Sequence, residues 1–454
     1  MTDRIKDFPG FIKNITKKLS RWFSPGIGIK RWLLVVLTGC MLIALGISVL
    51  VIDFYRETTV QWLREVFLII SLSWLPRWTR SLIFGGVGLL VLLFGVWELN
   101  RSILKPFMKP GQPVLDTLAS YRKKERGPRI VAIGGGTGLS TLLRGLKKYT
   151  NNLTAIVTVT DDGGSSGELR KNLGILPPGD IRNCLTALAD DEEMLSQIFQ
   201  YRFGERANVN GHSLGNLFIS ALTDITGSFE EAVSVSGRVL AVKGKVMPST
   251  LHDVRLVAEI KLPNQNVEVK MIGETSIANL EGNIQHLWIE PSNTLPFPPA
   301  VQAILNADLI ILGPGSLFTS VLPNLLVAGL ADAIKKSKAV KFFICNVANQ
   351  RGETQGFRSI DHIKVIEKHL NNLHFDVILC NNRIDVDIPE GMEMVIPDPS
   401  LEEQYSVYFA PLNDIKNPWR HDSDKLAEVI SDLFYERTGP ILNGKSQSID
   451  NINR

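Results

Sequence analysis

Three aspartates, Asp161, Asp162 and Asp180, fall close together in the chain, each in or beside a glycine-rich turn. Carboxylates so placed can hold a ribose hydroxyl or a divalent cation such as Mg2+, with Asp162 and Asp180 as the candidate metal ligands. Upstream of them runs Gly134-Gly135-Gly136-Thr137-Gly138. Glycines let backbone N–H groups approach an anion, and a helix starting there favours negative charge. The turn is not a P-loop, because no Gly-Lys-Ser/Thr follows it. Nor does it complete the dinucleotide fingerprint, since Thr141 stands where the third glycine belongs. Taken alone, it also fits a plain strand-to-helix bend, and Asp180 also fits a helix N-cap. Three aspartates with two glycine-rich turns exceed what capping requires.

More polar clusters follow. Asn183 ends Pro177-Pro178-Gly179-Asp180-Ile181-Arg182-Asn183. In Asn210-Gly211-His212-Ser213-Leu214-Gly215-Asn216, His212 can contact a phosphate, and Asn216 can donate to a ligand carbonyl or cap a helix. Gly313-Pro314-Gly315-Ser316 is a second glycine turn, with hydroxyls where an N-cap or a phosphate would sit. Asn349 and Arg351 lie beyond the next apolar run; Arg351 offers a bidentate phosphate donor or a surface ion pair with Glu353. No serine or cysteine stands beside a histidine in a recognisable motif, so no nucleophile–base pair is expected.

The elements that must position these groups are an alternation of short apolar runs and amphipathic stretches. Residues 130–133 read as a strand, Leu139, Leu142, Leu143 and Leu146 mark a helix face, and 154–160 read as a second strand. Residues 307–312, 340–345 and 377–380 read as further strands, with helices over 316–335, 357–370 and 423–434. Between the halves, 239–246, 254–261, 267–272 and 284–289 read as a meander over one side of the sheet, carrying no chemistry. The pattern predicts an α/β domain with three layers and a mainly parallel, Rossmann-like sheet. The loops after Ile133, Thr160, Leu312 and Cys345 converge on one edge if that sheet is doubly wound.

Five stretches in register, GGGTGLSTLLRGLK, TVTDDGGSSGELR, PPGDIRNCLTALA, GHSLGNL and GPGSLFTSVLPNLL, resemble the YvcK family of gluconeogenesis factors. That family is related to CofD, the 2-phospho-lactate transferase of deazaflavin-cofactor synthesis. The resemblance covers roughly residues 127–434. It implies a CofD/YvcK-like fold, binding of UDP-N-acetylglucosamine or another nucleotide sugar, and an effect on cell shape, wall synthesis and carbon use. By the same resemblance Arg420 joins the ligand-binding set of Gly135, Gly136, Thr137, Gly138, Asp161, Asp162, Asp180, Asn183, His212, Asn216, Gly313, Gly315, Ser316, Asn349 and Arg351. The alternative is a CofD-type transferase that uses a divalent cation. A dinucleotide-dependent oxidoreductase is disfavoured by the incomplete glycine pattern. Homo-oligomerisation and an unidentified cell-wall or metabolic protein partner are also expected.

The chain has 454 residues with 49 basic against 46 acidic side chains, a balance that argues against a nucleic-acid binder. Cys40, Cys184, Cys345 and Cys380 are scattered without a CxxC, which predicts buried free thiols rather than zinc or disulfides. Residues 1–31 are basic, and 32–52 carry no charge. A second uncharged run covers 81–97, flanked by Trp74, Trp78 and Trp97. These runs predict a two-helix membrane hairpin within residues 1–98, inserted in the plasma membrane, with 67–75 on its surface. Basic flanks on both sides place both termini and the α/β domain in the cytoplasm. A basic, proline-containing linker then covers 99–126, the α/β domain 127–437, and a disordered tail 438–454.

Overall fold

The structure is a computed structural model, and it describes residues 40, 41, 44, 47, 48, 61–70, 72, 74–104, 122–204, 211–262, 267–370 and 373–439. The chain divides into two units, Met1–Arg122 and Lys123–Arg454.

The first unit contains the helices Gln61–Ile70 and Arg77–Leu104. Within the second helix, Trp78–Trp97 has a mean hydropathy of 1.9 and none of it is buried. Twenty helical residues span about 30 Å, the thickness of a bilayer's hydrocarbon core. Among the described residues this is one helix long and apolar enough to cross a membrane, where a pair was expected. The other expected span, 32–52, lies largely outside the described residues. Gln61–Ile70 turns Trp62, Val66, Leu68 and Ile69 outward. Cys40 is exposed, whereas the other three cysteines are buried free thiols as expected.

Among its described residues the second unit has twelve strands: β1 Ile130–Gly134, β2 Leu153–Val157, β3 Lys245–Pro248, β4 Arg255–Lys261, β5 Glu268–Ile272, β6 Asn283–Glu290, β7 Leu309–Leu312, β8 Val340–Ile344, β9 Ala348–Asn349, β10 Val377–Asn381, β11 Glu393–Met394 and β12 Val407–Ala410. Seven of them form one sheet in the order β12-β10-β8-β7-β1-β2-β3, and every pairing in it is parallel. All residues of β1, β7 and β10 are buried. Continuous Ile, Leu and Val runs suit strands covered by helices on both faces. The chain winds outward from β1 through β2 to β3, and outward the other way from β7 to β12. The topological switch point therefore lies between β1 and β7, where a crevice opens beyond the strands' carboxyl ends.

Two expectations for the middle of the chain are corrected. Residues 239–246 do not form a strand. The helix Phe229–Val239, whose N-cap Ser228 accepts from the Glu231 N–H, takes Val239, and β3 begins only at Lys245 and joins the main sheet. Capping and the buried face of Ala232, Val233 and Ser236 outweigh the β preference of the valines. The antiparallel strands have the order β5-β4-β6 rather than a meander, because the helix Glu274–Asn279 intervenes between β5 and β6.

The helix after β1, Gly136–Leu146, packs against the last helix, Ser423–Thr438. Gly145 lies at their closest approach. A Cβ there would overlap the Ser423 carbonyl oxygen and stand 2.7 Å from the Ala427 Cβ. Gly145→Ala is expected to push the helices apart and destabilise the domain by about 1–3 kcal/mol. Thermal denaturation checks this; an alanine variant melting with the wild type refutes it.

Candidate functional site

A cavity of about 620 Å³ opens over the switch point. One wall is the turn after β1, Gly135 to Gly138, with Thr141 one helical turn further on. The turn after β7 supplies Pro314, Gly315, Ser316, Thr319 and Ser320, and the segment after β8 supplies residues 346–351. Glu274, Met392, Trp419, Arg420 and His421 complete it.

The two glycine turns touch backbone to backbone. A Cβ on Gly138 would lie 2.6 Å from the Pro314 carbonyl oxygen, so only glycine lets them meet. Asn346 clamps the second turn: its Oδ1 accepts from the Gly315 N–H at 3.1 Å and its Nδ2 donates to the Gly315 carbonyl at 2.8 Å. Asn324 ties the first turn down by donating to the Gly134 carbonyl at 2.9 Å.

Each turn carries an internal carboxylate. Asp180, on the helix Gly179–Leu188, accepts from the Gly136 N–H, and a Cβ on Gly135 would stand 2.5 Å from its Oδ2. Burial, reinforced by the nearby Asp161, pushes the Asp180 pKa up to about 6. Glu353 is buried beneath the second turn. It accepts from the hydroxyls of Ser316 and Thr319 and from the Phe318 N–H, at 3.0 Å for Thr319 and 3.3 Å for Phe318. Burial raises its pKa, opposed by those donors.

Beside Asp180 a second cavity, of about 280 Å³, is lined by Asp161, Ser165, Ser166, Asp180, Arg182, Asn183, Arg202 and Asn216, among others. Asp161 lies in the turn ahead of the helix Gly164–Leu173, accepting from the Gly163 N–H at 2.9 Å, and burial raises its pKa. Arg182 is buried; its Nη1 donates to Ser213 and, at 3.0 Å, to Asn216 Oδ1, while its Nη2 donates to Asn183 Oδ1 at 2.9 Å.

The family model of 2-phospho-L-lactate transferase CofD matches residues 130–412. A Nostoc sp. protein of the gluconeogenesis-factor group is 48% identical over 369 residues, spanning 80% of this chain and 79% of its own. The gluconeogenesis factor of Bacillus subtilis is 43% identical over 322 residues, spanning 68% of this chain and 99% of its own. The chain belongs to the gluconeogenesis-factor (YvcK) family and carries a CofD domain. A crystal structure of a UPF0052 family protein from Bacillus halodurans superposes on it with a TM-score of 0.62 and 42% identity, covering 67% of this chain and 99% of that one.

In this family member the sixteen residues singled out in the sequence divide among several places, His212 lining neither cavity but standing 2.9 Å from the Ser165 hydroxyl. Gly135, Gly136, Thr137, Gly138, Gly315, Ser316, Asn349, Arg351 and Arg420 line the switch-point cavity. Asp161, Asp180, Asn183 and Asn216 line the smaller one, with Asp180 reaching the first turn. Gly313 lines neither: at φ 79° it bends the chain out of β7, and its N–H donates to the Ile133 carbonyl at 3.0 Å. Asp162 lines neither, because its Oδ1 accepts from the N–H and hydroxyl of Thr275, both at 2.9 Å. It pins the β2 turn to the β4–β6 insertion. Arg351 pairs with Glu281 at 3.0 Å rather than with Glu353.

These positions bear on the expected cation. Among the described residues no group of three or more His, Cys, Asp or Glu side chains is arranged to hold a metal ion. Asp161 and Asp180 line one pocket, and the charge of Asp161 adds to burial in raising the Asp180 pKa, which is the electrostatic condition a divalent cation relieves. Carboxylate oxygen suits Mg2+, and one or two protein carboxylates with waters are its common set. Asp161 and Asp180, rather than Asp162, are the residues that would hold it.

The sequence reading missed three groups. Glu274, in the insertion taken to carry no chemistry, lines the main cavity, and burial lifts its pKa well above the usual range. Glu353 was read only as a surface partner of Arg351. Ser165 stands 2.9 Å from His212 Nδ1, although no serine–histidine pair was expected. The spacing Gly163-Gly164-Ser165-Ser166-Gly167 was the signal that could have found it.

Proposed function

We propose that the protein is a membrane-anchored regulator that binds a nucleotide sugar, UDP-N-acetylglucosamine, in the switch-point cavity. The observation that carries the reading is the cavity itself. About 620 Å³ is in the range of sites that hold small-molecule ligands. Its wall combines backbone amides at Thr137 and Gly138 for a phosphate, the Arg420 guanidinium for a diphosphate, and the Trp419 ring for a base. Family membership supports an effect on carbon metabolism, with cell wall synthesis and cell shape as further consequences. The exposed apolar segment Trp78–Trp97 supports the membrane anchor, and the basic residues after it, Arg101, Lys105 and Lys109, support a cytoplasmic α/β domain.

A second reading, a CofD-like transferase dependent on a divalent cation, is favoured by the carboxyl groups of Asp161, Asp180 and Glu274. Positioning and a cation suffice for much phosphoryl and phosphodiester chemistry. One experiment separates the two. Under the sensor reading UDP-N-acetylglucosamine raises the melting temperature, as binding to the folded state alone must, and is recovered unchanged after long incubation with Mg2+. Arg420→Ala is expected to weaken binding by about 1–3 kcal/mol, the loss of a charged hydrogen bond, without unfolding the domain. Release of UMP or UDP in proportion to protein would establish the transferase. The absence of any melting shift with UDP-N-acetylglucosamine would refute the sensor, and recovery of the full-length protein in the soluble fraction without detergent would refute the anchor.

A further inference from the structure

Gly163-Gly164-Ser165-Ser166-Gly167 follows β2 and opens the helix Gly164–Leu173, and it has the spacing G-x-S-x-G. In a strand–turn–helix setting this spacing sets a serine hydroxyl at the start of the helix. Gly164 has a φ of 47°, and a Cβ on Gly167 would overlap the Asp162 carbonyl. Ser165 sits in the wall of the 280 Å³ cavity.

The hydrogen bonds around Ser165 fix where its proton points. Arg182 has only donors, and its Nη1 lies 3.0 Å from one end of the Asn216 amide, so that end is Oδ1. Asn216 Nδ2 therefore faces Ser165 and donates to its Oγ at 3.0 Å. The serine hydroxyl is left to donate to His212 Nδ1, at 2.9 Å. The imidazole proton then lies on Nε2, which faces Glu168 Oε2 at 3.4 Å. A hydroxyl aimed at a ring nitrogen, with a carboxylate behind the other nitrogen, is the arrangement of a nucleophile, its base and the group that orients the base. Here the serine engages Nδ1 and the acid Nε2. The N–H groups that open the helix Gly164–Leu173 have no intrahelical partner and are the donors available to an oxyanion formed at Ser165.

We propose that Ser165, His212 and Glu168 form a second chemical site, with Ser165 the nucleophile for acyl transfer from a small, hydroxyl-bearing O-acyl ester. Oγ attacks the ester carbonyl carbon as its proton passes to His212 Nδ1. The bond from that carbon to the alcohol oxygen breaks, and the departing alcohol takes the proton from His212. Water, activated by the same nitrogen, releases the acid and restores the serine. The cavity's volume limits the ester to a small one, and Asp161, Asp180 and Asn183 in its wall offer partners for the alcohol's other hydroxyls. The proposal goes beyond the nucleotide-sugar reading and does not rest on it.

The test uses the full-length protein and diisopropyl fluorophosphate, from which a serine nucleophile displaces fluoride to leave a stable phosphoester. Peptide mass spectrometry is expected to find the adduct on Ser165, and to find none there in Ser165→Ala. His212→Ala, checked for folding by its melting curve, should slow labelling by at least about a hundredfold, the range for removing a general base. Glu168→Gln should shift the pH at which labelling is half-maximal, which loss of a merely structural contact would not do. Absence of an adduct on Ser165 in the folded wild-type protein overturns the proposal, and so does equally fast labelling in folded His212→Ala.

Discussion

Glu353→Ala is expected to destabilise the α/β domain by about 3–5 kcal/mol, since each buried donor left without its acceptor costs about 1–3 kcal/mol. Domains of ordinary stability have about 5–15 kcal/mol in hand, so much of the margin goes. The side chain is 5% exposed, and one carboxylate serves the Ser316 hydroxyl, the Thr319 hydroxyl and the Phe318 amide. Alanine leaves a void that takes the acceptor from the Phe318 amide and from at least one of the two hydroxyls, which stand 2.6 Å apart. Both carboxylate oxygens accept, Oε2 from Ser316 and Phe318 and Oε1 from Thr319. Glu353→Gln must therefore turn an NH2 group toward a donor, and a smaller loss of about 1–3 kcal/mol is expected. Urea denaturation of wild type and both variants measures the series. An alanine variant within about 1 kcal/mol of wild type would falsify the view that Glu353 holds the second turn.

The same geometry decides which glycine turn can receive an anion. At the second turn the Ser316 hydroxyl and the Phe318 amide are already committed to Glu353, so a phosphate there would meet a buried carboxyl group. At the first turn Asp180 takes the Gly136 amide, while Thr137 and Gly138 still line the cavity. The two turns, which look equivalent in the sequence, therefore have different work. The first presents backbone to the cavity, and the second is a rigid wall.

The parallel sheet was legible because its strands are continuous apolar runs bounded by glycine or asparagine. Residues 130–133 and 307–312 can be nothing else once both faces are buried. The glycine turns and the convergence of their loops followed from that topology. What was not legible depends on partners distant in sequence. Asp161 and Asp162 are adjacent and chemically alike, and only Thr275, 113 residues later, decides that Asp162 is a pin and Asp161 a cavity wall. Glu353 needed the second turn, and His212 needed Ser165, 47 residues away. The stretch 239–246 misled because its valines favour a strand, whereas the Ser228 cap and a buried face had already committed Val239 to a helix.

Asp180→Asn is expected to stabilise the protein at neutral pH while removing a carboxylate from the site. An Asp whose folded-state pKa is raised binds its proton more tightly folded than unfolded. Its contribution therefore favours folding at low pH and is lost as pH rises from the ordinary value of 3.8 through about 6. Above that the ionised, buried carboxylate opposes folding by about 3 kcal/mol, at 1.36 kcal/mol per pKa unit. Asparagine keeps an oxygen for the Gly136 N–H and carries no charge. The variant should exceed wild type by up to about 3 kcal/mol at pH 7.5, and the gap should close between pH 6 and pH 4. His421 works in the opposite sense. Burial holds its pKa down to about 4, so its neutral form supports folding above pH 6.5, and that support is lost as pH falls through 4. The two effects oppose each other across one window. Relative to wild type, Asp180→Asn should lose stability as pH falls from 7.5 to 5, whereas His421→Gln should gain it. Denaturation of the three proteins at pH 5, 6 and 7.5 tests the pair of assignments. If wild type and Asp180→Asn keep a constant difference across that series, the carboxyl group is not titrating within it.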